Sequence, residues 1–186
     1  MFRCKKGEYG YIKKKKMQQL TLAILMGVIG LLIYGIGYYL NGFERNNVCL
    51  VLGILMVLPG AKFMTTFILL FPYHSFEKSF YNSITVDDNA LLLSDVVITS
   101  TERAMHLDFL YIGNGCVLGL LVNHNKGGKP VQDYLTKGVR NYADDYTVKI
   151  TESKESFQKS LHNITKKDVE KEIEDKVIAY LYSLMV

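Results

Sequence analysis

Hydrophobic and polar positions divide the chain into three textures. From Leu20 to Phe71 almost every position is apolar, interrupted only by the polar stretch 41–47. A hydrocarbon core about 30 Å thick takes about 20 apolar residues of helix. Leu20–Leu40 and Val48–Phe71 both reach that length, the first with no charged residue and the second with Lys62 alone. Two such blocks joined by a short loop predict a transmembrane helical hairpin over 18–72. A signal peptide is the weaker reading, because the apolar run is too long for its hydrophobic region and a second apolar block follows at once.

Beyond Pro72 the pattern shortens. The stretch from Pro72 to Tyr81 predicts a short exit helix with Phe76 and Phe80 on one side. Leu91–Thr99, His106–Ile112 and Cys116–Asn123 are brief apolar runs rich in β-branched and aromatic residues, which predict three strands in a meander. Thr101–Arg103 and Gly113-Asn-Gly115 mark the turns, and Asn-Gly favours the positive φ of a tight hairpin. After a polar loop over 123–129, Val131, Leu135, Val139 and Tyr142 recur at helical spacing and predict a helix over 131–143. Tyr146–Ile150 alternates as a strand. Thr151 and Ser153 are candidate caps for a helix over Lys154–Asn163, and a last helix spans Lys167–Met185. The expected architecture is therefore a basic tail (1–17), the hairpin (18–72) and a small α/β (α+β) domain (73–186). That domain has a mixed sheet in the order α-β-β-β-α-β-α-α.

Charge changes the picture mainly by fixing orientation. Met1–Met17 carries seven Lys and Arg against Glu8, whereas 73–186 carries thirteen basic and sixteen acidic residues. Basic residues flanking a first span favour the cytoplasmic side. Two spans then return the chain to that side, which predicts a multi-pass protein of the cell membrane with N-terminus and domain in the cytoplasm. A domain near −3 gives no support to nucleic-acid binding. Lys13, Lys14, Lys15 and Lys16 are placed at the membrane surface, as a topology signal and a potential site for anionic headgroups, each such charge contributing about 1 kcal/mol.

Lys62 is the candidate functional residue within the membrane, since an intramembrane charge is costly. Counted from Val48 at about 1.5 Å per residue it lies about 21 Å deep, leaving about 9 Å to the cytoplasmic face. A lysine stem beside a Pro59 bend spans that distance by snorkelling. Ala23, Gly27 and Gly30 form a small-residue stripe suited to close approach of the second span. Cys4, Cys49 and Cys116 are scattered and predict no disulfide, which fits a reducing compartment, and the four histidines show no zinc-ligand spacing.

The run from Leu107 to Asn123, with Asp108 on one strand and a glycine turn before the next, followed by Gly127 and Pro130-Val-Gln132, resembles the nuclease-related domain of the restriction-endonuclease-like superfamily. The resemblance implies a strand acid at Asp108, a Glu-x-Lys pair on the following strand and a Pro-x-x-Gln or similar opening to a helix. Leu120 and Val122 stand where the Glu and Lys belong. Such nucleases need clustered carboxylates for Mg²⁺ and a lysine near the attacking water. This copy therefore reads as catalytically inactive. Asp95, Glu102 and Asp108 are the candidate acids for an improvised site, because a meander can bring two of them together.

Three functions follow. The favoured one is a membrane-anchored cytoplasmic binding or scaffolding module, non-enzymatic and without cofactor, whose partners are the lipid bilayer and a protein or second copy. The alternatives are a membrane-tethered nuclease using Mg²⁺ at a displaced site, and a small subunit of a membrane transport or secretion complex.

Overall fold

The computed structural model describes residues 5–40, 42, 48–85, 90–100, 104–122, 127–164 and 169–186. Glu102 with the 101–103 turn, most of the 41–47 loop, the 123–126 part of the polar loop and Asp168 lie outside the described residues. The chain forms two compact units. One is built from Ile12–Tyr73. The other joins Cys4–Tyr11 to His74–Val186, so the residues before the apolar blocks fold with the domain that follows them.

In the first unit, α1 (Tyr11–Leu40) begins earlier than expected and takes Lys13–Lys16 into its first turns. Lysine is a good helix former, so nothing in that run stops the helix. The second block is two helices, α2 (Val48–Leu55) and α3 (Val57–Leu70), broken at Met56. Pro59 explains the break: it has no N–H to bond Leu55, and its ring crowds that carbonyl. Two glycines let α1 and α2 touch at the backbone, since a Cβ on Gly30 would stand 3.1 Å from the Gly53 carbonyl oxygen. Gly60 lies beside Met26 and Ala23, so α1 and the second block run antiparallel. The hydroxyls of Thr21, Thr65 and Thr66 each donate to the carbonyl four residues back, leaving none bare on an apolar helix.

Both blocks are long and apolar enough to cross a membrane, yet only 11% and 6% of their most apolar windows are buried. A core helix of comparable composition would be covered on most sides. Leu31, Leu32, Ile36, Val48, Val57 and Leu58 instead stand mostly exposed.

In the second unit, a short α4 (Lys78–Ser83) starts later than the sequence predicts. It is followed by β1 (Leu91–Thr99), β2 (Ala104–Gly113) and β3 (Cys116–Leu120). Then come α5 (Gly128–Arg140), β4 (Thr147–Thr151), α6 (Lys154–His162) and α7 (Lys171–Leu184). The sheet is mixed, in the order β1-β2-β3-β4. The first two pairings are antiparallel, and β4 runs parallel to β3 because α5 carries the chain across. Asn114 and Gly115, both at positive φ, close the β2–β3 hairpin as the Asn-Gly pair demands.

Each face of the sheet has its own core. Val131, Leu135 and Val139 of α5 and Val177 and Leu181 of α7 cover one face. Phe80 of α4 and Phe157 of α6 meet Phe109, Tyr111, Leu118 and Leu120 on the other. Ser153 caps α6, accepting from the Ser156 N–H.

Candidate functional site

Strict alternation would keep one parity of each strand on one face. Here the parity slips. On β1 the residues facing α5 and α7 are Leu93, then Val96 and Ile98; on β2 they are Met105 and Leu107, then Leu110 and Ile112. The slips fall at Asp95 and Asp108, which the register places opposite each other, between the Ser94–Phe109 and Val96–Leu107 pairs. Asp95 has φ +55°, a left-handed conformation that aspartate tolerates better than most residues.

At this paired break sits the most deeply buried polar group among the described residues of the domain: Ser94, Asp95, His106 and Asp108, each at most 3% exposed. The Ser75 hydroxyl donates to Asp95 Oδ2 at 2.6 Å. The Val122 N–H donates to Asp108 Oδ2 at 2.9 Å, which holds the chain just past the end of β3. His106 Nδ1 stands 3.9 Å from Asp108 Oδ1, a separation at which a protonated imidazole would form an ion pair. Buried carboxylates need such donors, since an unpaired charge in a low-dielectric interior is costly.

Of the sequence candidates, the structure thus brings Asp95 and Asp108 to facing positions, and brings Asp108 to Val122. Leu120 turns away into the aromatic core and is fully buried. Mg²⁺ takes oxygen ligands in near-octahedral geometry. Here Asp95 Oδ2 accepts from Ser75 and Asp108 Oδ2 accepts from the Val122 N–H, and the side chains of Leu120 and Val122 bring no oxygen. Among the described residues no group of three or more His, Cys, Asp or Glu is placed to hold a metal. Gln132 has a structural partner: its Oε1 accepts from the Ile150 N–H on the edge strand β4.

Ser75, Ser94 and His106 were not legible as members of this group. His106 stands two residues before Asp108 on one strand, a spacing that carries weight only once the strand is known to be buried on both faces.

The edge of β1 is closed by parts of the chain far apart in sequence. Gly7 O accepts from the Ser94 N–H at 2.9 Å, Ser75 reaches Asp95, Val97 O accepts from the Val186 N–H, and Ile98 pairs with Met185. The Tyr9 hydroxyl donates to Phe76 O and its ring stacks on Tyr81, while the Tyr11 hydroxyl donates to Val186 O. Lys6 Nζ donates to Met185 O.

The other candidates lie elsewhere. Lys62 is exposed on the surface of α3 and makes no ion pair among the described residues. Lys13 and Lys14 are exposed, but Lys16 donates to the carbonyls of Phe71, at 2.8 Å, and Tyr73. It thereby ties carbonyls at and beyond the end of α3, which otherwise lack helical partners.

A cleft of about 610 Å³ opens between the α5–β4 turn and the start of α7, lined by Tyr142, Asp144, Asp145, Tyr146, Glu170 and Ile173. Asp144, Asp145 and Glu170 are exposed, in keeping with a solvated acidic face. Burial pushes the Tyr146 phenol up to about 12, with further pressure from Glu174 and Cys116. Burial likewise raises the Glu174 carboxyl, with Asp175 adding to the shift against Lys171.

No family model, curated protein or solved structure matches the chain.

Proposed function

We propose that the chain is an integral membrane protein whose hairpin, α1 and α2–α3, anchors the mixed-sheet domain at the cytoplasmic face, where the domain binds or scaffolds a partner protein. One observation carries the topology: residues 5–11 and 74–186 belong to one folded unit. Segments that fold together lie on one side of a membrane, so the chain between them crosses an even number of times. Two exposed apolar helices satisfy that condition as a pair. The lysines flanking α1 select the cytoplasm for that side.

The anchored domain reads as a restriction-endonuclease-like fold without the catalytic set. Supporting this are the order α4-β1-β2-β3-α5-β4, Asp108 on β2 and Pro130-Val-Gln132 in the first turn of α5. Asp108 accepts from the Val122 N–H, which supports a part for it in holding the chain just past the end of β3.

The second reading, a nuclease with a displaced metal site, has one observation in its favour, the facing of Asp95 and Asp108 across two strands. Calorimetric titration of Mg²⁺ and Mn²⁺ into the full chain in detergent, beside Asp108→Asn, separates the two. The scaffold reading predicts no saturable heat in either protein. Saturable binding that Asp108→Asn abolishes would overturn it in favour of the nuclease.

A further inference from the structure

Two buried side-chain oxygens of the second unit, Tyr146 Oη and Glu174 Oε1, have no hydrogen-bond partner among the described residues. Buried polar atoms are nearly always paired, so two orphans side by side call for a cause. Tyr146 is 6% exposed and lines the cleft between the α5–β4 turn and the start of α7. The Glu174 N–H donates to the carbonyl of Glu170, which lines the same cleft, so Glu174 stands one turn further along that side of α7. Its carboxyl bears on the Tyr146 phenol, and both oxygens border one space without bonding each other.

The rest of the lining selects the ligand. Asp144 and Glu170 are exposed carboxylates at the rim, and Ile173 adds an apolar wall. Tyr142, about half exposed, is braced on Tyr180 with ring centroids 5.0 Å apart. Acceptors at the base, an aromatic and apolar flank and acids at the rim match a cation that carries N–H donors on an alkyl stem.

We propose that this cleft binds an organic cation: a primary ammonium donates to Tyr146 Oη and Glu174 Oε1 at its base, and the alkyl stem runs outward past Tyr142 and Ile173. An ammonium has three donors and no acceptor, so it satisfies both oxygens at once. It also favours the ionised form of Glu174, whose carboxyl is raised by burial and by Asp175 against the opposing Lys171. The ammonium belongs to a free diamine or to a lysine of a partner protein, which share this chemistry. The inference uses the second unit alone and does not rest on the membrane reading.

The test is calorimetric titration of the full chain in mild detergent, at fixed ionic strength, with cadaverine, with a glycine-flanked lysine peptide blocked at both ends, and with the same peptide carrying norleucine in place of lysine. Saturable binding of cadaverine or the lysine peptide, but not of the norleucine peptide, is expected. Glu174→Gln should weaken it about tenfold or more and Tyr146→Phe about threefold or more, as for hydrogen bonds to a charged group. Tyr146→Phe removes only an unpartnered hydroxyl, so the fold is kept. Glu155→Gln, on the exposed surface of α6, should leave binding unchanged. Whichever of the two cations binds tighter names the source of the ammonium. No saturable binding of either cation to the parent chain, equal binding of the norleucine peptide, or losses matched by Glu155→Gln would overturn the inference and leave the two oxygens to a bridging water.

Discussion

Replacing Gly7 by alanine tests whether the start of the chain is part of the domain. Gly7 has φ +83°, where an L-residue pays about 1–2 kcal/mol. A Cβ there would collide with Leu93 Cδ2 and stand 3.3 Å from its Cβ and Cγ. Leu93 is 2% exposed, so it cannot swing clear, and overpacking of that kind costs about 1–3 kcal/mol. The two contributions together predict a loss of about 2–5 kcal/mol for Gly7→Ala. Gly10 provides the control, because its φ is +80° but nothing lies within 4 Å of its Cβ position. Gly10→Ala should therefore cost only the backbone contribution, about 1–2 kcal/mol. The assay is denaturant unfolding of the full chain in a mild detergent, followed by the near-ultraviolet signal of the domain's tyrosines. If the start of the chain were only a basic topology signal, both variants would unfold like the parent. A Gly7→Ala effect within 0.5 kcal/mol of the Gly10→Ala effect, roughly the scatter for surface substitutions, would refute the reasoning.

Two further variants probe the α5–α7 face and the acidic cleft. A Cβ on Gly138 would lie 2.5 Å from Tyr180 Cζ and nearer still to its hydroxyl, so Gly138→Ala should cost about 1–3 kcal/mol and become nearly neutral in a Tyr180→Ala background, as a double-mutant cycle by urea unfolding would read. The Tyr146 phenol is held neutral well above its ordinary range, so its contribution is complete below pH 10 and lost as pH rises from 10 towards 12. Unfolding midpoints across that window should fall more steeply for the parent than for Tyr146→Phe, by about 2 kcal/mol at the upper end; equal slopes would contradict the assignment.

Local patterns carried the strands and helices of the domain. The Asn-Gly turn fixed the β2–β3 hairpin, because few residue pairs accept two positive φ values in succession. The helical spacing of Val131, Leu135 and Val139 reported α5, because only one face of that helix is buried. Lys13–Lys16 misled as a tail boundary: charge says where a segment sits, not where a helix starts. Nor did the chain's order announce that Gly7 would meet Ser94, a contact between residues 87 apart in sequence. The site was half legible for the same reason. Asp95 and Asp108 were visible as acids on neighbouring strands, but their facing depends on register and on two parity slips, which no period-2 reading contains. One practical consequence follows. A fragment beginning at residue 73 lacks the segment that closes the edge of β1, so the full chain is the object to measure.

The even-crossing topology is the claim on which the account stands, and site-directed labelling tests it most directly. In a background with Cys4, Cys49 and Cys116 replaced by serine, single cysteines are placed at Gly42, between the two apolar blocks, and at Glu155, on the exposed surface of α6. A membrane-impermeant maleimide is then applied to intact cells and to permeabilised ones. The account predicts that position 42 labels in intact cells and position 155 only after permeabilisation. Labelling of both positions from the same side would contradict it.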